Sequence, residues 1–336
     1  MKTRFLPGPL AAAALLLCIS AAEAGVLVPV PQVPGSTQTD VYSINENGVL
    51  TGDYTDQNLE AHGFIGTLDG QYTSFDYGMG NDTQGRYVNN SGVITGWALQ
   101  HQSPWLEYSF VRNPDGSLVP ITRDGHRLKG AGKPGSLTDT GQLAGQFEAE
   151  RKDGEFTKPK GYTGQGTDYT AELKLPFKKV YGIYPTGVNN NGDVAGYFEP
   201  CGTCDGVHGF IVKNGVATQI DYPDPSAIAT ALDAINDNDV AVGHWRDSFG
   251  AEFAFVFDMP NQRFKLLHVD LARGINNSGL VAVDVGGEPY IYCLTKKGCP
   301  NGTAGRGEIH DRWVRATAAS VHSALCDHDC RRSLQR

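Results

Sequence analysis

Short runs of alternating apolar and polar residues fill most of the chain, and turns rich in Asn, Asp and Gly separate them. The stretch from Thr186 to Tyr222 shows the pattern most clearly. One turn, Asn189–Gly192, joins its first two runs, and another, Lys213–Gly215, joins its last two. Alternation with a period of two between such turns is typical of β-strands. The stretch therefore predicts a unit of four short strands.

The same unit occurs six times along the chain. Each copy has an apolar anchor residue followed by a four-residue turn, and the anchors are Ile44, Val88, Leu137, Val188, Ile235 and Ile275. Successive anchors are 44, 49, 51, 47 and 40 residues apart. A repeat of this length with about four strands is the signature of a β-propeller blade. We therefore predict an all-β fold, a six-bladed β-propeller of four-stranded blades.

The two ends of the repeat region predict how the ring closes. The sixth unit supplies only three strands, at Leu271–Ile275, Leu280–Val285 and Pro289–Leu294. A further strand-like run, Val26–Gln32, precedes the first unit. We expect this N-terminal strand to complete the last blade, because closure of the ring protects the sheet edges. The propeller would then span residues 25–303.

Residues 304–336 lose the strand pattern. Apolar residues recur there at helix-like spacing, at Ile309, Trp313, Ala316, Val321 and Leu325. This spacing predicts a short C-terminal helix packed on the propeller, with a partly disordered tail as the alternative.

The first 24 residues have the composition of a cleavable signal peptide. Lys2 and Arg4 precede a short apolar run, Leu10–Ala21, and Ala22–Ala24 is a small-x-small cleavage site. The run is shorter than the ~20 residues of a membrane span. We therefore expect a secreted or periplasmic protein that is not inserted in a membrane.

Charge and cysteine content agree with an exported protein. The net charge of the whole chain is -9, which argues against nucleic acid as a partner. Six cysteines follow the signal segment in close pairs, which are Cys201/Cys204, Cys293/Cys299 and Cys326/Cys330. In an exported chain such pairs predict disulfides. A metal held on one helix face by His322, Cys326 and Cys330 is a weaker alternative, and no cofactor is predicted.

The repeated turns and aromatic residues have structural interpretations. Asn, Asp and Gly tolerate left-handed backbone, so we favour simple turns over calcium loops, which would need a further acidic ligand at fixed spacing. An aromatic residue recurs in the third strand of every unit, at Phe64, Phe110, Tyr162, Phe210, Phe255 and Tyr290. We interpret these residues as packing between blades. His62 and His208, each before Gly-Phe, are interpreted as structural rather than catalytic.

The repeated motif resembles the HAF-type extracellular repeat of bacterial secreted proteins. It stands here as INENGVLTGDY with AHGF from Ile44, and as VNNNGDVAGY with VHGF from Val188. The third unit departs from it, with Lys160-Gly161-Tyr162 in place of His-Gly-Phe. The resemblance covers most of residues 26–294 and implies a secreted β-propeller. It implies no catalytic residues.

Candidate binding residues lie two positions before each anchor, where the copies differ most. They are Tyr42, Arg86, Gly135, Thr186, Asp233 and Arg273. If the first strand is innermost, these side chains approach the mouth of the central channel. Aromatic, cationic and anionic groups there suit a small acidic or sugar-like ligand, because arginine binds carboxylates bidentately. Salt bridges between blades are the alternative role.

Two functions follow from this pattern. The regular repeat favours a secreted, non-catalytic binding module for a glycan, a small acidic ligand or a protein surface. The alternative is a carbohydrate-active hydrolase or lyase with its site in the central funnel. The chain contains no Ser-His-Asp order, phosphate loop or zinc-protease motif that defines a reaction. Nothing in the pattern indicates an oligomeric state.

Overall fold

The computed structural model describes residues 24–78, 81–100, 106–123, 126–127, 132–148, 157–200, 206–295, 299–300, 309–310 and 313–315. Their regular structure consists of six β-sheets, one for each predicted unit. The first strands of neighbouring sheets contact one another around a central channel. The predicted six-bladed β-propeller is therefore confirmed. Within these ranges no helix is long and apolar enough to cross a membrane.

Three blades consist of four consecutive antiparallel strands that run from the channel outward. Blade 1 consists of β2 (Gln38–Ile44), β3 (Val49–Thr55), β4 (Ala61–Thr67) and β5 (Tyr72–Phe75). Blade 2 consists of β6 (Asn81–Val88), β7 (Ile94–Gln100), β8 (Leu106–Arg112) and β9 (Leu118–Pro120). Blade 4 consists of β16 (Gly182–Val188), β17 (Val194–Glu199), β18 (His208–Lys213) and β19 (Val216–Ile220).

The other three blades add short strands at the outer edge of the same four-stranded core. Blade 3 consists of β12 (Gly132–Leu137), β13 (Gln142–Phe147), β14 (Lys160–Gln165) and β15 (Asp168–Glu172), followed outward by β10 (Thr122–Arg123) and β11 (His126–Arg127). Blade 5 consists of β20 (Ala227–Ile235), β21 (Val240–Asp247), β22 (Glu252–Asp258) and β23 (Arg263–Leu266), followed outward by β28 (Trp313–Arg315). Blade 6 consists of β24 (Leu271–Ile275), β25 (Leu280–Val285), β26 (Glu288–Cys293) and β1 (Ala24–Pro29), followed outward by β27 (Ile309–His310).

The N-terminal strand closes the ring, as the sequence predicts. Strand β1 pairs antiparallel with β26, with Leu27 opposite Tyr292 and Val28 opposite Ile291. Leu27 is buried in the same apolar cluster as Tyr292 and Val283. The first and last segments of the ring therefore share one blade and one core.

The helix expected around Trp313 is wrong for the part of that segment that the structure describes. Ile309–His310 pairs with β1, and Trp313–Arg315 pairs with β23, so both pieces are strands. The outer edges of blades 6 and 5 offer unpaired backbone groups, and pairing with them satisfies the backbone of this segment. It therefore lies at the outer edge of the ring, away from the channel.

The repeat residues form the blade cores. All six anchors are 3% exposed or less. In blade 2, Gly96 lies opposite Phe110, and a Cβ on Gly96 would stand 2.3 Å from the Phe110 ring, so glycine lets the ring lie across the strand. In blade 6, Val283 occupies the position of this glycine, and its third-strand aromatic, Tyr290, is only partly buried.

The Cys293–Cys299 disulfide is present, as predicted. The other two cysteine pairs, Cys201/Cys204 and Cys326/Cys330, lie outside the described residues, and so does His322. The predicted signal segment, residues 1–24, also lies outside them, except for Ala24, the first residue of β1.

Candidate functional site

Every innermost strand contains a β-bulge, and the bulged residue is the candidate binding residue. The pairing of β2 with β3 jumps from Val41 to Ser43, which leaves Tyr42 without a partner across the strand. Jumps at the same position occur in the other blades, and in blade 3 the jump runs from Pro134 to Leu137 and so includes Gly135 and Ser136. A bulge re-aims its extra side chain and is frequent next to functional sites. In this protein the bulges place six residues at the same level of the channel, and all of them except Gly135 carry a side chain.

These six residues line one cavity in the channel. The cavity has a volume of about 280 Å³, and its lining includes Tyr42, Arg86, Gly135, Thr186, Asp233 and Arg273. Ligand pockets in proteins begin at roughly this volume, about 300 Å³. We call this cavity the funnel. The structure thus brings the sequence-derived candidates together, and their role in ligand binding stays a prediction.

Tyr42 holds two guanidinium groups, one from each neighbouring blade. The guanidinium carbon of Arg86 in blade 2 lies 4.3 Å from the centre of the Tyr42 ring, and that of Arg273 in blade 6 lies 4.6 Å from it. Such cation–π contacts stabilise the complex of ring and cation by about 0.5–2 kcal/mol each. Burial raises the pKa of the Tyr42 hydroxyl, and the charge of Asp53 raises it further. Tyr42 therefore stays neutral and acts as a platform for the two cations.

The two arginines differ in their carboxylate partners. Arg273 donates from Nε and Nη2 to Asp284 Oδ2, at 2.9 and 2.6 Å, and its Nη2 lies 3.6 Å from Asp40 Oδ1. Asp284 belongs to the same blade as Arg273, whereas Asp40 belongs to blade 1, so the contact with Asp40 is the ion pair between blades that the sequence offered as an alternative. Arg86 makes one hydrogen bond, a long one of 3.4 Å from Nη1 to Gln84 Oε1, and forms no ion pair with any described carboxylate. Arg86 therefore forms no ion pair among the described residues, although its positive charge acts to lower the pKa of Asp40 and of Asp53.

Asp233 and His244 form an acid–base pair across the funnel wall. Asp233 Oδ2 lies 2.9 Å from His244 Nδ1. Burial acts to lower the pKa of His244, but the charge of Asp233 and its hydrogen bond, together with the charge of Glu252, outweigh burial and raise it. His244 can accept or donate a proton, and the pair can hydrogen-bond ligand hydroxyls.

Two stacked tyrosines form another part of the wall. The rings of Tyr184 and Tyr197 lie 4.6 Å apart and nearly parallel, at 13°. Burial raises the pKa of Tyr197 to about 12, and the charge of Asp233 adds to this, while Arg86 acts in the opposite direction. Tyr197 thus lies within the field of both Asp233 and Arg86. Both tyrosines are half-buried, so they offer an apolar ring surface with a hydroxyl at its edge.

Thr186 and Gly135 contribute less to the chemistry of the funnel. The Thr186 hydroxyl donates to the carbonyl of Leu232, at 2.7 Å, and so ties blade 4 to blade 5. Gly135 offers no side chain, and a Cβ there would lie 2.8 Å from the carbonyl of Thr186. Close approach of two blades explains glycine at this bulge.

Sequence reasoning missed a second repeated position that contributes to the funnel. Its residues directly follow the glycine position of each second strand, and they are Asp53, Trp97, Gln146, Tyr197, His244 and Asp284. Gln146, Tyr197 and His244 line the funnel, and Asp284 holds Arg273. Like the bulge position, this position varies between copies, and that variation is the signal that could have identified it.

Asp53 is a buried carboxyl behind Tyr42. It is 5% exposed, and its Oδ1 has no hydrogen-bond partner. Burial raises its pKa to about 7, and the charge of Asp40, which lies directly opposite on β2, raises it further. Asp53 therefore exchanges its proton near neutral pH.

Tyr87 separates the funnel from the narrow end of the channel. It lines the funnel and also a second cavity of about 20 Å³, which the inter-strand turns surround. The residues that follow the bulge in the other blades are small, and they are Ser43, Ser136, Gly187, Ala234 and Gly274. Tyr87 is thus the large residue at this level of the channel and forms the floor of the funnel.

The turns at the narrow end form a closed ring of hydrogen bonds. The second residue of each turn donates its backbone N–H to the side chain of its counterpart in the next turn, in the order Glu46, Asn90, Asp139, Asn190, Asp237, Asn277 and back to Glu46. Five of these bonds measure 2.7–2.9 Å. The Asn-rich turns therefore join the blades as well as reversing the chain.

The two histidines of the repeat motif lie outside the funnel lining. His62 Nδ1 lies 2.8 Å from Asp76 Oδ1, and His208 Nδ1 lies 2.8 Å from Asp221 Oδ1. Each pair joins the third strand of a blade to the end of its fourth strand. This geometry agrees with the structural interpretation of both histidines.

One group of described residues could hold a metal ion. Ligand atoms of Asp56, Glu60 and His62 lie within 4.8 Å of one another, in and after the loop between β3 and β4. Asp56 Oδ1 already accepts the backbone N–H of Asn58 and of Glu60, at 2.8 and 3.0 Å, so this carboxylate shapes the turn. We assign no metal to this group.

No protein-family model matches the chain, and neither does any curated protein sequence. Solved structures match at low identity. The gluconolactonase XC5397 from Xanthomonas campestris aligns with a TM-score of 0.47 and 14% identity over 81% of this chain and 91% of its own. TolB from Acinetobacter baumannii aligns with a TM-score of 0.47 and 10% identity over 74% of this chain and 64% of its own.

A lectin is among the matches as well. A mutant Aleuria aurantia lectin in complex with alpha-methyl-L-fucoside aligns with a TM-score of 0.38 and 10% identity over 79% of this chain and 80% of its own. Similarities of this degree concern the fold. The class of protein that the chain itself defines is a six-bladed β-propeller with a polar funnel at its centre.

Proposed function

We propose that the protein is a secreted or periplasmic binding module, of the HAF-repeat type, which takes a glycan or a small acidic ligand in its funnel. One observation carries this proposal: the bulge position of each innermost strand holds a residue that varies between blades, and all six of these residues line a single cavity. Residues that served only the fold would repeat between blades, as the anchors do. The N-terminal composition and the Cys293–Cys299 disulfide support an exported, oxidised protein.

Non-catalytic binding is favoured over glycoside hydrolysis. Glycosidases commonly use two carboxyl groups that flank the scissile bond. Among the described residues that line the funnel, Asp233 is the carboxylate, and it is already hydrogen-bonded to His244. The funnel therefore supports binding better than this reaction.

A lyase is the second candidate function, and a specific observation favours it. The His244–Asp233 pair and Arg86 line the same cavity. Together they offer a base for proton abstraction and a cation that would stabilise a carboxylate substrate.

A glycan array that includes acidic glycans, combined with a turnover assay on the glycans that bind, tests the proposal. Residues 25–336 are applied to the array beside the Arg86→Ala variant. We expect binding without turnover, and loss of binding in the variant. Turnover that disappears in His244→Ala would favour the lyase, and an array without any bound glycan or acidic ligand would overturn binding in the funnel.

A further inference from the structure

The two arginines of the funnel wall differ in their contacts with carboxylates, and this difference indicates which of them is available to an anionic ligand. Of the two arginines that line it, Arg273 is held by Asp284 and Asp40. Arg86 has no ion-pair partner among the described residues. A guanidinium offers five N–H donors, and the structure shows one donor of Arg86 in use, in a long hydrogen bond.

Arg86 is nevertheless held in position. The Tyr42 ring lies under its guanidinium, at 4.3 Å from the guanidinium carbon to the ring centre, and Tyr42 itself is 8% exposed. A fixed guanidinium loses little freedom when it binds a planar anion with two parallel hydrogen bonds. The geometry therefore suits a carboxylate at this point of the funnel.

Groups that suit hydroxyls accompany Arg86 in the funnel lining. Asp233 and His244 offer a hydrogen-bonded acid–base pair, and Tyr197 adds a phenol hydroxyl. Asp233 raises the pKa of His244, and a protonated His244 neutralises Asp233, so the pair in that state takes neutral hydroxyl groups better than an ammonium group. The stacked rings of Tyr184 and Tyr197 offer an apolar surface for the C–H face of a sugar.

The volume of the funnel limits the ligand to about one sugar ring. At about 280 Å³ it lies at the lower end of the range for small-molecule sites, and Tyr87 closes it below. A longer chain could enter only by its terminal residue.

From these contacts we infer that the funnel binds a hydroxylated carboxylate of the sugar-acid class, with its carboxylate on Arg86 and its hydroxyls on Asp233, His244 and Tyr197. The inference rests on the proposed function, because it names the ligand class of the same site. In this role Arg86 binds the anion, and Arg273 supports Tyr42.

Calorimetry with matched sugars tests the inference. The probes are D-galacturonate and D-glucuronate, their neutral counterparts D-galactose and D-glucose, and serine as a zwitterion. We expect at least one uronate to bind at least about 10-fold more tightly than its neutral counterpart and than serine, since hydrogen bonds to a charged group are the strong ones.

Variants then assign the anion to Arg86. Arg86→Gln should weaken uronate binding about 10-fold or more, while loss of the contact with Tyr42 lowers the thermal midpoint by no more than roughly 5 °C, so the variant stays folded. Arg263→Gln makes the same chemical change on the outer strand β23, beside Asp258, and should leave binding unchanged.

The outcomes separate the two proposals. Equal affinity for acidic and neutral sugars, or an Arg86→Gln variant that binds the uronate as the wild type does, would overturn the ligand class and leave binding in the funnel standing. Tighter binding of serine than of any uronate would overturn it too. If none of these probes binds, the ligand class is wrong, and the glycan array decides separately whether the funnel binds at all.

Discussion

The guanidinium carbon of Arg86 lies 4.3 Å from the centre of the Tyr42 ring, so a side chain of blade 1 positions a cation of blade 2 that forms no ion pair with any described carboxylate. The same ring holds Arg273 of blade 6, at 4.6 Å. Tyr42 therefore couples three blades at one level of the funnel. Its ring, rather than its hydroxyl, makes these contacts.

Exchange of Tyr42 should separate the role of the ring from that of the hydroxyl. Tyr42→Phe keeps the ring face and should leave uronate affinity within about 2-fold of the wild type. Tyr42→Leu keeps much of the bulk but removes the π-face, and should weaken uronate binding about 3- to 10-fold, in line with a cation–π contribution of ~0.5–2 kcal/mol. Calorimetry measures the uronate affinity of both variants. Equal affinities of the Phe and Leu variants would contradict a role for the ring face of Tyr42.

His244 should titrate above its usual range, and Asp233 should be the reason. The charge and hydrogen bond of Asp233 raise the pKa of His244 against the effect of burial. In Asp233→Asn that support is lost and burial remains, so the midpoint should fall below the wild-type value. NMR of the His244 ring protons as a function of pH measures both midpoints. The ring protons of His208, whose carboxylate partner is Asp221, serve as the internal control.

The sign of the stability effect follows from the same shift. Protonation of His244 is favoured in the folded state relative to the unfolded state. The stabilisation that this provides is therefore fully present below the pKa of His in the unfolded state, about 6.5, and is lost as pH rises through the pKa of His244 in the folded state. Asp233→Asn should therefore lower the thermal midpoint more at pH 5.5 than at pH 8.5. A loss that is the same at both pH values would contradict the coupling.

Asp53 should make the protein less stable as pH rises. Its pKa is about 7 in the folded state, chiefly because of burial, against the ordinary value of 3.8. The folded state thus binds more protons than the unfolded state between about pH 4 and 7, and the free energy of unfolding falls with pH in this window, by at most ~1.4 kcal/mol per pH unit. Asp53→Asn should remove this slope, which urea unfolding from pH 4 to 8 measures.

A control for Asp53 is available in an exposed turn. Asp69→Asn changes an exposed carboxylate in the turn between β4 and β5 and should leave the slope as in the wild type. If Asp53→Asn and the wild type lose stability equally between pH 4 and 7, Asp53 does not carry the effect.

The hydrogen-bond ring at the narrow end should stabilise the whole propeller. Asp139 accepts hydrogen bonds from Asn90 N and Nδ2, at 2.7 and 2.8 Å, and from Asn190 Nδ2, at 3.1 Å, so it connects three blades. Asp139→Ala should lower the free energy of unfolding by about 1–2 kcal/mol, because the net value of each exposed bond is small. Urea unfolding measures the difference.

The matched control has the same chemistry within one turn. Asp115 accepts bonds from Ser117 N and Oγ, at 2.9 and 2.7 Å, and contacts no other blade through them. Asp115→Ala should cost less than half as much as Asp139→Ala. Equal losses would mean that contacts between blades at the ring add nothing to stability.

The architecture could be predicted from sequence because local features define it. Turn residues that follow an apolar anchor, such as Ile44 or Val188, indicate where one strand ends and the chain reverses. The number of such anchors, spaced 40–51 residues apart, gives the number of blades. Ring closure also followed, since the sixth unit lacked a strand that Val26–Gln32 could supply. The bulge residues were found because they vary between copies while their neighbours repeat.

Other features depend on partners that are distant in sequence. Arg86 and Arg273 occupy the same repeat position, yet only Arg273 meets the carboxylate of Asp284, so their different roles appear only when the blades are assembled. The strands at Ile309–His310 and Trp313–Arg315 form because two blade edges are free, and local spacing there indicated a helix. His244 was missed because it follows a repeated glycine, a position that was assigned to the strand pattern alone.

Ring closure by β1 leads to the last prediction. Leu27 is 8% exposed and packs in one cluster with Tyr292 and Val283, so it fastens the N-terminal strand to the core of blade 6. Leu27→Ala in residues 25–336 should lower the free energy of unfolding by about 2–3 kcal/mol, since truncation of a buried leucine leaves a cavity.

Val216→Ala is the control for Leu27→Ala. Val216 lies on β19, an outer strand of blade 4, but is 67% exposed, and its truncation should change the free energy of unfolding by no more than about 0.5 kcal/mol. Urea unfolding compares the two variants. Similar small losses in both would mean that the packing of Leu27 on blade 6 adds little to stability, whereas a large loss confined to Leu27→Ala would show that the N-terminal strand stabilises the propeller through this contact.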